Sequence, residues 1–72
     1  MQLFIFKTNI ATKKKVASLK PLLKQNTAIV KWNVDTQDCD KVLRIEAKNT
    51  AQENELINII QAYGYHCEPL NY

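Results

Sequence analysis

An α+β fold of a single domain, with its elements in the order βαββαβ, is what this 72-residue chain predicts. Three observations carry that expectation. Two segments, Val16 to Leu23 and Leu56 to Tyr63, repeat apolar residues at three- and four-residue spacings, the period of a helix with one buried side. Between them, Ala28 to Asp35 and Val42 to Ala47 alternate apolar and polar residues, the period of half-buried strands. Short runs rich in apolar residues, Leu3 to Phe6 and Tyr65 to Leu70, stand at the two ends.

The first strand is expected over Gln2 to Lys7, because Leu3-Phe4-Ile5-Phe6 is apolar and aromatic and stops at a polar Lys-Thr-Asn. The first helix is expected over Thr12 to Gln25, with Val16, Leu19, Leu22 and Leu23 on the covered side and Thr12 or Asn9 capping its start. Pro21 lies inside this pattern and removes one backbone donor, which predicts a kink or tightening near Ala17 and Ser18. In the second strand Val30, Trp32 and Val34 alternate with Lys31, Asn33 and Asp35. The third strand sets Leu43, Ile45 and Ala47 against Val42, Arg44 and Glu46, and the polar segment Thr36 to Asp40 joins the two as a hairpin.

Thr50 and Glu53 have the spacing of a capping box, so the second helix is expected to begin there, with Leu56, Ile59, Ile60 and Tyr63 on one stripe. Gly64 supplies the left-handed stop. A last strand over Tyr65 to Leu70 must lie at an edge or end, because Pro69 cannot donate to a ladder. This order folds as a ferredoxin-like sandwich, a four-stranded antiparallel sheet with both helices on one face.

Composition narrows the function classes. A domain of this size buries roughly 60% of its unfolded surface and has no room for a second module, so residues 1–72 are read as one unit. No apolar run reaches the roughly 18 residues of a membrane span or the core of an export signal, which predicts a cytoplasmic protein without membrane insertion. In that compartment Cys39 and Cys67 are expected to be two reduced, unrelated thiols. The net charge of +3 is unevenly spread: Lys13, Lys14, Lys15, Lys20 and Lys24 crowd one segment, and Asp35, Asp38 and Asp40 another. One histidine, no phosphate-cradling glycine loop and no nucleophile with a recognisable base argue against an enzyme, and no cofactor is implied.

The apolar first strand, Val16 in the first helix, Trp32-Asn-Val-Asp35 closing strand two, Lys41-Val-Leu ahead of strand three, and Ala62-Tyr-Gly-Tyr65 with Glu68 near the end together resemble the heavy-metal-associated domain of copper chaperones and metal-pumping ATPases. The resemblance covers nearly the whole chain and implies the βαββαβ fold and a tendency to dock against a similar domain. That family carries a Met-x-Cys-x-x-Cys motif before its first helix, its second cysteine four residues ahead of the helix valine. Here those positions hold Lys7, Asn9 and Thr12. The resemblance also places Tyr65 near the family's metal. A linear two-thiolate copper(I) site needs soft sulfur donors, which a hydroxyl and an amide do not replace, so no metal is expected at Asn9 and Thr12.

Three functional classes follow. A protein-interaction module is preferred, binding a protein partner or a second copy through Asn9, Thr12, Lys13, Lys14, Lys15 and Tyr65; three cations in a first helical turn oppose the helix dipole and suit an acidic partner or a phosphate backbone. The first alternative is copper or zinc binding at a relocated site made of His66 and Cys67, although adjacent strand residues point to opposite faces. The second is single-stranded RNA binding on the sheet. Phe4 and Phe6 would be its stacking aromatics if they face outward, but strand three offers no aromatic to complete the platform, and nucleic acid is not the expected partner. If outward, that pair would equally mark a dimer surface; if inward, it is core.

Overall fold

The computed structural model describes residues 1–70. Its elements are β1 (Gln2–Thr8), α1 (Lys13–Lys24), β2 (Ile29–Asp35), β3 (Val42–Ala47), α2 (Glu53–Ala62) and β4 (Cys67–Pro69). The four strands form one antiparallel sheet in the order β2-β3-β1-β4, so β1 and β3 are central and β2 and β4 are edges. The ferredoxin-like βαββαβ architecture predicted from the sequence is the one present.

The core lies between one face of the sheet and the helices. Phe6 from β1, Leu43, Ile45 and Ala47 from β3, Leu19 and Leu23 from α1, Leu56 and Ile60 from α2, and Cys67 from β4 are all buried. Phe4 packs against this cluster with its ring 6.2 Å from that of Phe6 and nearly parallel to it. Period-two geometry therefore turns Leu3 and Ile5 to the other face, where Leu3 is 58% exposed. The aromatic pair is core, and among the described residues the open face has neither the stacking platform of an RNA binder nor an aromatic dimer patch.

Several local expectations give way to tertiary demands. The β2 alternation breaks at a register irregularity between Ile29 and Lys31, which leaves Val30 52% exposed while Ile29, Trp32 and Val34 pack on the core. One extra residue in a strand flips the face of whatever precedes it. The Thr50–Glu53 capping box does not form. Gln52 is the N-cap residue and its side chain makes no cap bond. The reason is that Ala51 is drawn into the core and its N–H closes a turn on the Lys48 carbonyl at 3.0 Å, while its own carbonyl accepts from the Gln2 side chain. Helix α2 thus starts at Glu53, with Glu53 and Glu55 in its first turn, where the helix dipole favours acids.

Tyr63 is not part of the buried stripe. The helix ends at Ala62, one position before it, and the ring stands 48% exposed, tilted against that of Tyr65 at 5.8 Å. Gly64 has φ +103°, the left-handed stop foreseen, and its N–H reaches the Gln61 carbonyl. Pro21 sits within α1 without ending it; the carbonyl it leaves unpaired belongs to Ala17, which is exposed to water. β4 is shorter than its sequence pattern, because the amides of Tyr65 and His66 are engaged elsewhere.

Because β1, β2 and α2 run the same way, the β1–α1 loop, the β2–β3 turn and the α2–β4 connection gather at one end of the domain. The lysine-rich and aspartate-rich segments therefore share that end.

The face assignment predicts unequal costs for two leucines in equilibrium urea unfolding. Leu43→Ala should lower the unfolding free energy by about 2–5 kcal/mol, whereas Leu3→Ala should change it by less than about 0.5 kcal/mol. Equal losses would contradict the burial described.

Candidate functional site

The first loop, residues 9–12, is held from both sides. Thr8, the last residue of β1, is buried; its hydroxyl donates to the Lys41 carbonyl and accepts from the Ile10 N–H, and its own N–H donates to the Asp40 carbonyl at 3.0 Å. Ile10 is fully buried and anchors the loop in the core. Asn9 reaches the other way, its Oδ1 accepting from the His66 N–H at 3.0 Å. Thr12 adopts the extended backbone of an N-cap, and its Oγ1 accepts from the Lys15 N–H at 3.1 Å.

Tyr65 closes the arrangement. Its hydroxyl lies 2.8 Å from Ser18 Oγ, which itself donates to the Lys15 carbonyl at 2.6 Å. With the serine proton directed at that carbonyl, the tyrosine is the donor of the shared bond. The relay Tyr65 to Ser18 to Lys15 fastens the α2–β4 connection onto the first turns of α1. Lys13, Lys14 and Lys15 are exposed on this turn, and no acidic residue accompanies them there. Lys7 Nζ approaches Asp40 Oδ1 at 3.7 Å.

Asn9, Thr12 and Tyr65 thus lie at the same end of the domain as the three lysines. His66 and Cys67 are not brought to a common point. His66 is exposed, with Nε2 3.3 Å from Glu68 Oε2, whereas Cys67 faces the core at 1% exposure opposite Thr8. Burial pushes the Cys67 thiol up to about 12, with Glu53 and Glu68 adding to the effect. It stays protonated across the physiological range, the opposite of what a thiolate ligand requires. The relocated metal site suggested from the sequence therefore has one member turned inward and one turned out.

Two features escaped sequence reasoning. Ser18, in mid-helix, carries no local signal that Tyr65 would bind it. The turn that carries Cys39 leans on Thr8, and Asp38, Cys39 and Asp40 bring their side-chain ligand atoms within 4.8 Å of one another. Their carboxylates are already in use: Asp38 Oδ1 accepts from the Asp40 N–H at 2.8 Å, and Asp40 faces Lys7.

No protein-family model matches the sequence, and no curated protein matches it. Solved structures do. The chain superimposes on one described as "Solution structure of the Atx1-Cu(I)-Ccc2a complex" with a TM-score of 0.84 at 14% identity, covering 99% of this chain and 97% of that one. The two share the βαββαβ fold. A second structure, described as "Crosstalk between Cu(I) and Zn(II) homeostasis", matches with a TM-score of 0.81 at 11% identity, over 97% of this chain and 100% of the other. At such identities the likeness establishes a fold shared with these structures, the ferredoxin-like βαββαβ sandwich. Among the described residues no helix is long and apolar enough to cross a membrane.

The two cysteines should differ sharply toward a thiol reagent such as DTNB. At pH 8 the native protein is expected to react quickly at Cys39 alone, and Cys67 only after denaturant is added, because Cys39 is exposed and Cys67 is buried. Two fast thiols in the native state would mean that Cys67 is open to solvent and to ions.

Proposed function

We propose that this domain is a non-enzymatic, cytoplasmic protein-docking module, a copper-chaperone fold whose ligand loop serves hydrogen bonding instead of metal binding. The observation that carries the reading is the use made of residues 9 and 12. Where the resembling family needs two thiolates, this chain has two oxygen acceptors, each engaged by a backbone N–H: Asn9 with His66 and Thr12 with Lys15. Copper(I) selects soft sulfur donors, and these hard oxygens are unsuited to it. Docking is in keeping with the fold, since one of the matching structures is itself a complex of two proteins.

The docking face comprises Asn9, Thr12, Lys13, Lys14, Lys15 and Tyr65, and its partner is an acidic protein surface. Exposed ion pairs contribute only about 0.2–1 kcal/mol each, while micromolar binding requires about 8 kcal/mol. The three lysines therefore steer and orient an encounter, and most of the affinity falls to apolar contact. On this reading Ala11, exposed in the same loop, and the Tyr63–Tyr65 ring pair supply it. The rival readings have less support: Cys67 is a buried, protonated thiol, and the aromatics that suggested RNA stacking are core.

Chemical-shift mapping of the labelled protein with poly-glutamate provides the test. Perturbations should centre on residues 9–18 and Tyr65, and the affinity should fall at least about tenfold when salt is raised from roughly 0.05 to 0.5 M. The triple substitution Lys13→Glu, Lys14→Glu and Lys15→Glu should abolish them. Perturbations that survive the triple substitution, or that map to the open sheet face, would refute the assignment.

A further inference from the structure

The two edges of the sheet are built differently. β4 has three residues and ends at Pro69, a blunt edge that offers little to a further strand. β2 has seven residues and no proline, and among the described residues it pairs only with β3. Its register irregularity is confined to Ile29–Lys31, so Lys31 to Asp35 form a regular, unpaired segment. We propose that this segment is a dimerisation edge, to which a second copy of the chain adds its own β2 antiparallel about a two-fold axis at Asn33.

The charges select that occupant and that register. With the axis at Asn33, Lys31 stands opposite Asp35 of the second copy, and by symmetry Asp35 opposite its Lys31, so two cross-strand ion pairs form on the open face. Lys31 already faces Glu46 within its own sheet, and Asn33 faces Arg44. Each row across the joined sheets then avoids like charges at the seam: Glu46, Lys31 and Asp35 in one, and two neutral asparagine amides able to bond each other in the central one. On the core side Trp32 meets Val34 of the second copy. Both are only partly buried in one chain, and an aromatic against a β-branched residue is a favourable cross-strand pair.

Neighbouring registers do worse. An axis at Trp32 sets Ile29 against Asp35, and one at Val34 sets Trp32 against Thr36. Lys31 and Asp35 therefore guard the edge against indiscriminate pairing and are matched only by a second copy in one alignment. The contact is isologous and uses up both β2 edges. The outer edges of the joined sheet are the blunt β4 strands, so assembly stops at two chains. This surface is distinct from the lysine-rich loop end, and its failure would leave the docking proposal untouched.

Sedimentation equilibrium on protein carrying Cys39→Ser, which removes disulfide-linked pairs, tests the proposal. A monomer–dimer equilibrium is expected at concentrations up to about 1 mM. Lys31→Asp or Asp35→Lys alone should weaken it by roughly tenfold or more, since each creates two like-charge pairs. The combined exchange Lys31→Asp with Asp35→Lys should restore it to within about threefold. Thermal unfolding of each variant separates loss of pairing from loss of fold, because Asp35 Oδ1 also accepts from the Gln37 and Asp38 N–H groups of the β2–β3 turn; Lys31→Asp leaves those bonds in place. A protein monomeric throughout, a dimer indifferent to the single changes, or single-change losses that the exchange does not repair would each overturn the proposal.

Discussion

The organisation of the loop end rests on how the chain from Thr8 to Thr12 satisfies its polar groups without sulfur. Thr8 binds the β2–β3 turn, Asn9 binds the α2–β4 connection, and Thr12 starts α1. Each bond contributes only about 1 kcal/mol net, but a buried group left unpartnered costs more than that. Together the three side chains tie three separate loops into one surface. The orientation of α1 and the display of its lysines depend on those ties, as does the lodging of Tyr65 against Ser18.

This polar end is carried by an apolar frame. The central strands β1 and β3 place Phe6, Leu43 and Ile45 under both helices, and Ile10 extends the same core beneath the loop. Small domains have little stability to spare. A thiol such as Cys67 therefore serves better as a compact apolar group in the core than as an ionised ligand. Its position opposite Thr8 shows the alternation of the strand deciding the chemistry available: His66 is turned to water and Cys67 away from it.

Much of the fold was legible because helix and strand periods are written into adjacent residues. Leu19, Leu23, Leu56 and Ile60 announced their buried sides, Gly64 its left-handed turn, and the two hairpin strands their alternation. What was not legible depended on distant backbone groups. The Thr50–Glu53 spacing was sound locally but lost to Ala51, whose amide and carbonyl were claimed by Lys48 and Gln2. Val30 fitted the alternation until a bulge turned it outward. At the candidate site, Asn9, Thr12 and Tyr65 could be gathered from the family resemblance. Ser18 and the Asp38–Asp40 turn could not, because their partners lie across the fold.

On the proposed reading, residues 9 and 12 act through hydrogen bonding alone. Copper(I) titration, in competition with a chelator, of the natural protein beside the Asn9→Cys/Thr12→Cys variant tests it most directly. The variant should bind one copper(I) tightly through its restored thiolates. It should also lose about 1–3 kcal/mol of stability in the metal-free state with the cap and the bond to His66. The natural protein should show no comparable site. A tight, stoichiometric copper(I) site in the natural protein that Asn9→Ala or Thr12→Ala removes would contradict it.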